Sequence, residues 1–409
     1  MKSVRPYSTG SKALIRDLNR SAVLNLVKYE GPISRVAISR RLGLSGAAVT
    51  SISGELEGAG LIREVAQAPS GGGRPAGLLG LNPGAAVVVG IKLAVDHLAA
   101  VMADLDGSVL GTDAVEMRTH DVDAVLERIG SSVERLRSAS GTARLLGVGV
   151  GMPGVIDSAR GRCVDSPILG WHDTPIADRL SRRLGLPVLV DNDVNTLAAA
   201  ERLYGAGRNA VDFVAVTLGR GVGLGIVIGG QVYRGRLGGA GEFGHLPVEP
   251  DGPDCECGRR GCLEALVADP ALVAEGRALG VIGPKEGVQD LTARADAGDR
   301  SALTIFTRAG QRLGIAIAGL VNVLSPALVI ISGEGVRARK HLEPSLRASM
   351  NEHLFPPLAG VELAIDPWDD AKWARGAASL VLETFFSAGR DERANGGGMD
   401  LASFAAEAG

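Results

Sequence analysis

The sequence predicts an α/β protein in two parts: a small N-terminal winged helix-turn-helix and, behind it, a duplicated two-lobed α/β unit with a cleft between the lobes. Three observations predict this. Residues 13–57 carry three apolar stripes at helical spacing, separated by glycine turns, and two short strand-like runs around a glycine-rich loop follow them. After Pro83 the pattern changes to strands and helices in alternation, and its order recurs in the second half. At 409 residues the chain has room for two or three domains. It divides into residues 1–83, residues 84–389 and a polar tail, 390–409, expected to be mobile.

The front module can be justified element by element. Residues 13–29 read as a helix, with Val23, Leu24 and Val27 on one face and Gly31-Pro32 as its stop. Ser34 is a plausible N-cap for a short helix through Leu42, and Gly43 ends it. A third helix, Gly46 to Glu57, puts Val49, Ile52 and Leu56 inward, and Thr50, Ser51 and Ser53 are expected to face outward, with Ser45 in the turn before them. The runs 61–65 and 78–81 then read as two strands around a wing, residues 68–77. In that wing Gly72 and Gly73 would let the backbone approach a phosphate, and Arg74 could enter a minor groove.

Charge supports this reading. Residues 1–83 carry eleven Lys and Arg against five Asp and Glu, a balance of +6 in a chain whose total is −3, which leaves −9 for the remainder. A basic module on an acidic body points to a polyanion, double-stranded DNA, at one end. The outward face of the third helix is short of Arg, Asn and Gln, so specificity would lean on the wing, on Ser and Thr contacts and on dimer spacing. Composition is that of a soluble globular protein, 45% hydrophobic and 22% charged. Residues 1–18 hold no apolar core of signal-peptide length, and apolar runs such as 85–91 are too short to cross a bilayer. The expectation is a cytoplasmic protein with no membrane insertion.

In the second part, residues 85–92, 98–104, 109–117, 145–152 and 188–190 read as strands, with helices at 122–137 and 176–184. The series returns with strands at 213–218, 223–228, 231–234, 328–332 and 361–365. A helix over 301–324 is rich in small residues, including Gly314, Ala316, Ala318 and Gly319, which suits close packing against another helix.

The stretch 244–264, GHLPVEPDGPDCECGRRGCLE, gathers three of the four cysteines, Cys255, Cys257 and Cys262, with His245. Three thiolates and an imidazole make a full tetrahedral shell for zinc, and Gly258 and Gly261 allow a tight turn around an ion. Four protein ligands leave no place for water, so the expected zinc is structural. Cys163 stands apart, and its role is open at this point.

That stretch resembles the zinc signature of the ROK family (repressors, open reading frames and kinases), a His followed by CxCGxxGCxE. The wing motif GGRP and the segment DNDVNTLAAAE, 191–201, extend the resemblance over essentially the whole chain. It implies a ribonuclease-H-like, actin-like sugar kinase fold for the two-lobed part, and a winged helix in front of that part marks the family's transcriptional repressors. It also implies a sugar site built from Asn192, Asp193, Glu242, His245 and Glu264, with Gly151 in a loop, GMPG, closing over it. Acceptors on Asp and Glu beside donors on Asn and His suit a ligand made of vicinal hydroxyls.

The departures from the family pattern separate sensor from enzyme. Where family kinases have DxGGT, this chain has Lys92-Leu93-Ala94-Val95-Asp96; where they have LGTG, it has Leu218-Gly219-Arg220-Gly221; and Glu334 stands among the glycines of the adenosine motif. Phosphoryl transfer depends on positioning and charge stabilisation, so losing this cradle should abolish it. Ile168 also replaces an Asn of the family's PNLGW-like run. The expected protein is a homodimeric or homotetrameric repressor of carbohydrate genes, released from its operator by a sugar or sugar phosphate. The rival is an ATP-dependent sugar kinase with an attached DNA-binding domain.

Overall fold

The computed structural model describes residues 12–68, 75–139, 141, 144–366 and 369–386. They form two compact units, one of the described residues 12–191 with 377–386 and the other of the described residues in 192–376.

The first unit opens with three helices, α1 (Lys12–Glu30), α2 (Arg35–Leu42) and α3 (Gly46–Gly58), and three strands, β1 (Ile33–Ser34), β2 (Ile62–Gln67) and β3 (Gly77–Leu81), in the order β1-β3-β2. Caps set the helix ends. The Ser34 hydroxyl accepts from the Ala37 amide at 3.2 Å, the Ser45 hydroxyl from the Ala48 amide at 3.2 Å, and Gly43 turns the chain at φ 66°. Val23, Leu24, Ile38, Val49, Leu56 and Leu79 close a small core. Ser53 is a correction, because it is fully buried and does not face outward. It lies four residues after Val49 and three before Leu56, inside an apolar stripe wide enough to include both 52 and 53. Gly72, Gly73 and Arg74 lie outside the described residues, as does the tail 390–409.

The same unit continues with β4 (Ala86–Leu93), β5 (His97–Asp104), β6 (Val109–Glu116), α4 (Val122–Ala139), β7 (Arg144–Met152), β8 (Val155–Asp157), β9 (Arg162–Ser166), β10 (Trp171–Thr174), α5 (Ile176–Leu184) and β11 (Val188–Asn192), whose last residue opens the second unit. Its main sheet runs β11-β7-β4-β5-β6. Every residue of β4 is buried, Lys92 included, as befits a central strand whose residues 86–91 form an apolar run, and β6 at the edge is largely exposed. The antiparallel trio β10-β9-β8 was not read from the sequence. Its strands are short and rich in charge, and what anchors them is tertiary: Trp171 is buried and donates its indole N–H to the His120 carbonyl at 2.6 Å. Cys163 is buried there as well. Burial, with Asp165 beside it, pushes its thiol up to about 11, which makes it an inert core residue.

The second unit contains α6 (Asp193–Tyr204), β12 (Phe213–Leu218), β13 (Val222–Ile228), β14 (Gln231–Val232), α7 (Glu264–Val267), α8 (Asp269–Ala278), α9 (Val288–Asp296), α10 (Arg300–Leu324), β15 (Leu328–Ser332), α11 (Arg339–His353), β16 (Glu362–Ile365) and the first half of α12 (Asp370–Phe386). Its sheet runs β14-β13-β12-β15-β16, so both units carry strands one to five in the spatial order 3-2-1-4-5, the mark of a duplicated unit. β12 divides its side chains by alternation. Val214 and Val216 pack with Phe306 and Leu313 of α10, and Phe213 and Ala215 pack with Ala198 of α6. Gly223 and Gly225 let α6 lie close on β13, since a Cβ at either would fall within 3 Å of Val194 or Ala198.

Helix α10 packs against α11 through glycine. A Cβ on Gly310 or Gly314 would lie 2.4 Å from the carbonyl oxygen of Leu342 or Leu346, whereas Gly319 on the same helix faces open space. Gly314→Ala should therefore destabilise the protein by about 1–3 kcal/mol, and Gly319→Ala should be neutral or stabilise it by up to about 1 kcal/mol through helix propensity. Urea denaturation of the two variants, giving midpoint shifts of opposite or unequal sign, checks this pair.

Candidate functional site

A loop closed on itself holds the cysteine cluster. The amide of Leu263 donates to the Leu246 carbonyl at 2.9 Å, that of Val248 to Gly261 at 2.8 Å, and Pro247 and Cys262 form an antiparallel bridge. Gly261 sits at φ 67°, where a Cβ would fall 1.5 Å from the Glu249 carbonyl oxygen, so no other residue fits. Inside the loop the ligand atoms of His245, Cys255, Cys257 and Cys262 all lie within 4.8 Å of one another. Cys255 Sγ is 3.7 Å from His245 Nδ1, and Cys257 Sγ is 3.7 Å from Cys262 Sγ. A tetrahedron with bonds of ~2.3 Å has edges of about 3.8 Å, so the four could hold a metal ion. Burial pushes the Cys255 thiol up to about 12, so a metal would have to displace its proton.

On the other side of the imidazole, His245 Nε2 lies 3.8 Å from Glu242 Oε2. Burial raises the Glu242 carboxyl above its ordinary value; the facing His245 works against this and Glu264 adds to it. Glu264 opens α7, and its Oε2 accepts from the Val222 amide at 2.9 Å, so one carboxylate oxygen is committed to backbone. Asn192 is the N-cap of α6. Its Oδ1 accepts from the amides of Val194 and Asn195 at 2.9 and 3.3 Å, and Asp193 is the first residue of the helix. Sequence reasoning took 191–201 as a motif and missed this capped helix, although an Asn before a run of leucine and alanines signals one. Glu242, His245 and Glu264 thus come together within the second unit. Gly151 lies in the first unit, at the end of β7, register-paired with the buried Lys92 of β4.

Beside the Gly219–Gly221 turn a cavity of about 410 Å³ is lined by Arg220, Asp269, Arg277 and Glu334 among others. A Cβ on Gly219 would meet Glu334 Oε2 at 2.7 Å, so this carboxylate rests against the glycine turn. Burial, with Glu334 as a second cause, pushes the Asp269 carboxyl up to about 6.

In the helical module the structure places Ser45 as a cap, Thr50 with its hydroxyl turned back to the Gly46 carbonyl at 2.8 Å, and Ser51 exposed. The exposed side of α3, which includes Gly46, Ala47, Thr50, Ser51 and Gly54, is made of small residues. Several of the basic residues counted from the sequence are spent internally. Arg16 and Arg20 pair with Glu55, Arg35 with Glu57 and Arg41 with Glu30. Although partial burial works against it, the two arginines hold the Glu55 carboxyl below its ordinary value. Arg40 and Arg63, exposed on α2 and β2, carry charge that the sequence reading did not single out.

A family model described as "ROK family" matches residues 88–384, and one described as "Winged helix-turn-helix DNA-binding" matches residues 16–63. The chain belongs to the ROK family. It is similar to the DNA-binding transcriptional dual regulator NagC of Escherichia coli K12, 32% identical over 391 residues, 91% of this chain and 94% of that protein. Among solved structures, a ROK family transcriptional regulator, a homolog of the E. coli MLC protein, superposes with a TM-score of 0.83 at 27% identity, covering 96% of this chain and all of that one. The ROK hexokinase of Thermus thermophilus superposes with a TM-score of 0.64 at 31% identity, covering 71% of this chain and 96% of its own. This ROK chain therefore has both regulators and a sugar kinase among its structural neighbours, and the regulator shares the front module. Among the described residues no helix is long and apolar enough to cross a membrane.

The Asp269 carboxyl gives a test of the cavity. Its folded pKa, about 6, is above the ordinary 3.8, so the folded state takes up the proton first as pH falls. The cost of its charge is full above about pH 6 and gone below about pH 4. Asp269→Asn should stabilise the ROK unit at pH 8 by on the order of 1–2 kcal/mol and leave it unchanged at pH 4. Denaturation curves at the two pH values read the difference.

Proposed function

We propose that the chain is a sugar-responsive transcriptional repressor of carbohydrate uptake or catabolism genes, cytoplasmic, acting as a homodimer or homotetramer on a double-stranded operator. Residues 1–83 are its DNA-binding domain, 84–389 its ligand-binding and oligomerisation domain, and 390–409 a tail. A sugar or sugar phosphate held by Asn192, Asp193, Glu242, His245 and Glu264, with Gly151 in the closing loop, is the effector. It acts only through a higher affinity for the state that does not bind DNA. Ser45, Thr50 and Ser51, with Gly72, Gly73 and Arg74 of the wing, face the operator. The small residues on the outer side of α3 suit close backbone approach, and the buried Ser53 drops out of this set.

The observation that carries the choice of sensor over kinase is the Glu334 carboxylate resting against Gly219, with Asp269 in the same cavity. Where a kinase must keep N–H groups free for phosphate oxygens, this glycine turn carries a carboxylate against it, and a second acid shares the cavity with Arg220 and Arg277. Asp193 is then a ligand for hydroxyls with no phosphoryl transfer to catalyse. The metal is read as zinc, held by His245, Cys255, Cys257 and Cys262 with no coordination position left for water. Its work is to hold the loop from which Glu242, His245 and Glu264 project.

The decisive experiment is a gel shift of the full chain on DNA from upstream of its own operon, with xylose, glucose, N-acetylglucosamine and their 6- or 5-phosphates added in turn. Binding that one sugar abolishes supports the proposal; binding that no sugar changes speaks for control by a protein partner. A coupled ADP-release assay over the same panel should show no turnover, and robust turnover would establish the kinase reading instead. Metal analysis should find one zinc per chain, and Cys257→Ser should lose it, lower the Tm and weaken the sugar response together. An unchanged response in zinc-free protein would separate the knot from the sugar wall.

A further inference from the structure

Helix α12 is shared by both units: it begins in the second and ends in the first. Its first turn is clamped to α6. Lys372 Nζ lies 2.6 Å from Glu201 Oε1 and also pairs with Asp366, while the fully buried Glu201 uses its other oxygen to accept from the Ala206 amide at 2.9 Å. Three residues on, the Arg375 guanidinium stacks 3.7 Å over the Tyr204 ring. Gly376 then brings the helix so close to α6 that a Cβ would lie 2.1 Å from the Thr196 carbonyl oxygen. In the first unit Gly149 of β7 makes the same kind of crossing, where a Cβ would lie 1.8 Å from the Ala377 carbonyl oxygen. At the far end, Asn25 of α1 donates to the Phe386 carbonyl at 2.7 Å, and Lys28 Nζ sits 3.7 Å over the Phe386 ring.

These contacts line up functional ends. The first turn of α6 carries Asn192 and Asp193, and its last turns carry the Glu201 and Tyr204 that grip α12. Helix α1, touched by the end of α12, is tied through Arg16 and Arg20 to Glu55 of α3. We propose that α12 is a rod that reports the state of α6 to the DNA-binding helices, gripped at one end by Lys372, Glu201 and Asp366 and meeting α1 at the other through Asn25, Lys28 and Phe386. The proposal rests on the repressor reading and adds its line of communication. A packed helix suits the task, since it moves as a body between discrete positions. The ion pair at Lys372 and the cation over the ring at Lys28 each depend on one side chain, so each can be removed by one substitution.

A double-mutant cycle in the full-length protein, read by hydrogen exchange, tests this without operator or effector. Lys372→Gln loosens the grip on α6 and Lys28→Met loosens the meeting with α1. Contacts at opposite ends of a 17-residue helix, with no side-chain partner in common, ordinarily act independently. The expected result is that each single variant raises exchange in the peptides covering residues 21–30 about five-fold. The double variant should raise it no further than the larger single effect. No change in those peptides with Lys372→Gln, or fully multiplicative effects in the double variant, would overturn the proposal. Should Lys372→Gln fail to fold because Glu201 is left charged and buried, Arg375→Gln, which removes the stack on Tyr204, takes its place in the cycle with the same expected outcomes. Failure of wild-type protein to bind its upstream DNA would sink the repressor reading, and the exchange data would still decide whether α12 couples α6 to α1.

Discussion

Much of the candidate ligand wall depends on a single loop closure. The chain leaves at Glu242 and returns at Glu264, and the ladder from Leu246 to Leu263 pins the two ends together with Gly261 where a Cβ would strike the Glu249 carbonyl oxygen. Two acidic side chains and an imidazole, spread over the stretch 242–264, are thereby made neighbours. The imidazole is oriented twice over: its Nδ1 faces Cys255 while its Nε2 faces Glu242. A histidine that serves a metal with one nitrogen and a ligand with the other needs this double constraint, because the partner of one nitrogen decides the tautomer of the other.

What was legible in the sequence was what has a local cause. The helix ends at Ser34, Gly43 and Ser45 are written in residues whose side chains or backbone do the capping themselves, and they stand where expected. The largely apolar runs 213–218 and 328–332 became interior strands with the same bounds. The cysteine cluster was legible because thiol spacing is a chemical statement independent of fold. The trio β8 to β10 was not, since its strands are short, charged and held by a tryptophan whose partner, the His120 carbonyl, is 51 residues away. Ser53 was misplaced for a subtler reason: a hydroxyl one step from an apolar stripe can be carried into the core by the stripe's width. The charge balance of the front module was read correctly in sign. Its use was not visible, because the pairings of Arg20 with Glu55 and Arg35 with Glu57 cross between helices.

The duplication explains how one scaffold can carry its proposed ligand wall and its glycine turns on separate elements. Both units present the same strand order, so each offers strand ends and turns at equivalent places. The turn after β12 and the turn after β15 meet at Gly219 and Glu334, whereas the proposed hydroxyl-binding groups come from α6 and the cysteine loop. Substitution at the two turns therefore leaves the other side chains untouched. The raised Asp269 carboxyl shows what the exchange cost: two acids now share one cavity, and one of them is held toward its neutral form.

Glycine at the crossing points gives the shared helix its meaning. At Gly376 and Gly149 the backbone of α12 or its neighbour has no room for a methyl group, so α12 is gripped by main chain in each of the units it joins. A helix held so closely cannot slide freely against either partner. Any displacement of α6 must be taken up by the helix as a whole or by strain at Lys372 and Arg375. The end of α12 meets α1 through one hydrogen bond to a carbonyl and one cation over a ring, contacts that tolerate a shift better than a main-chain crossing does. Ionic grip at the stiff end and an adjustable contact at the soft end are what a device needs if ligand and DNA are to be felt by one another through a chain of side chains.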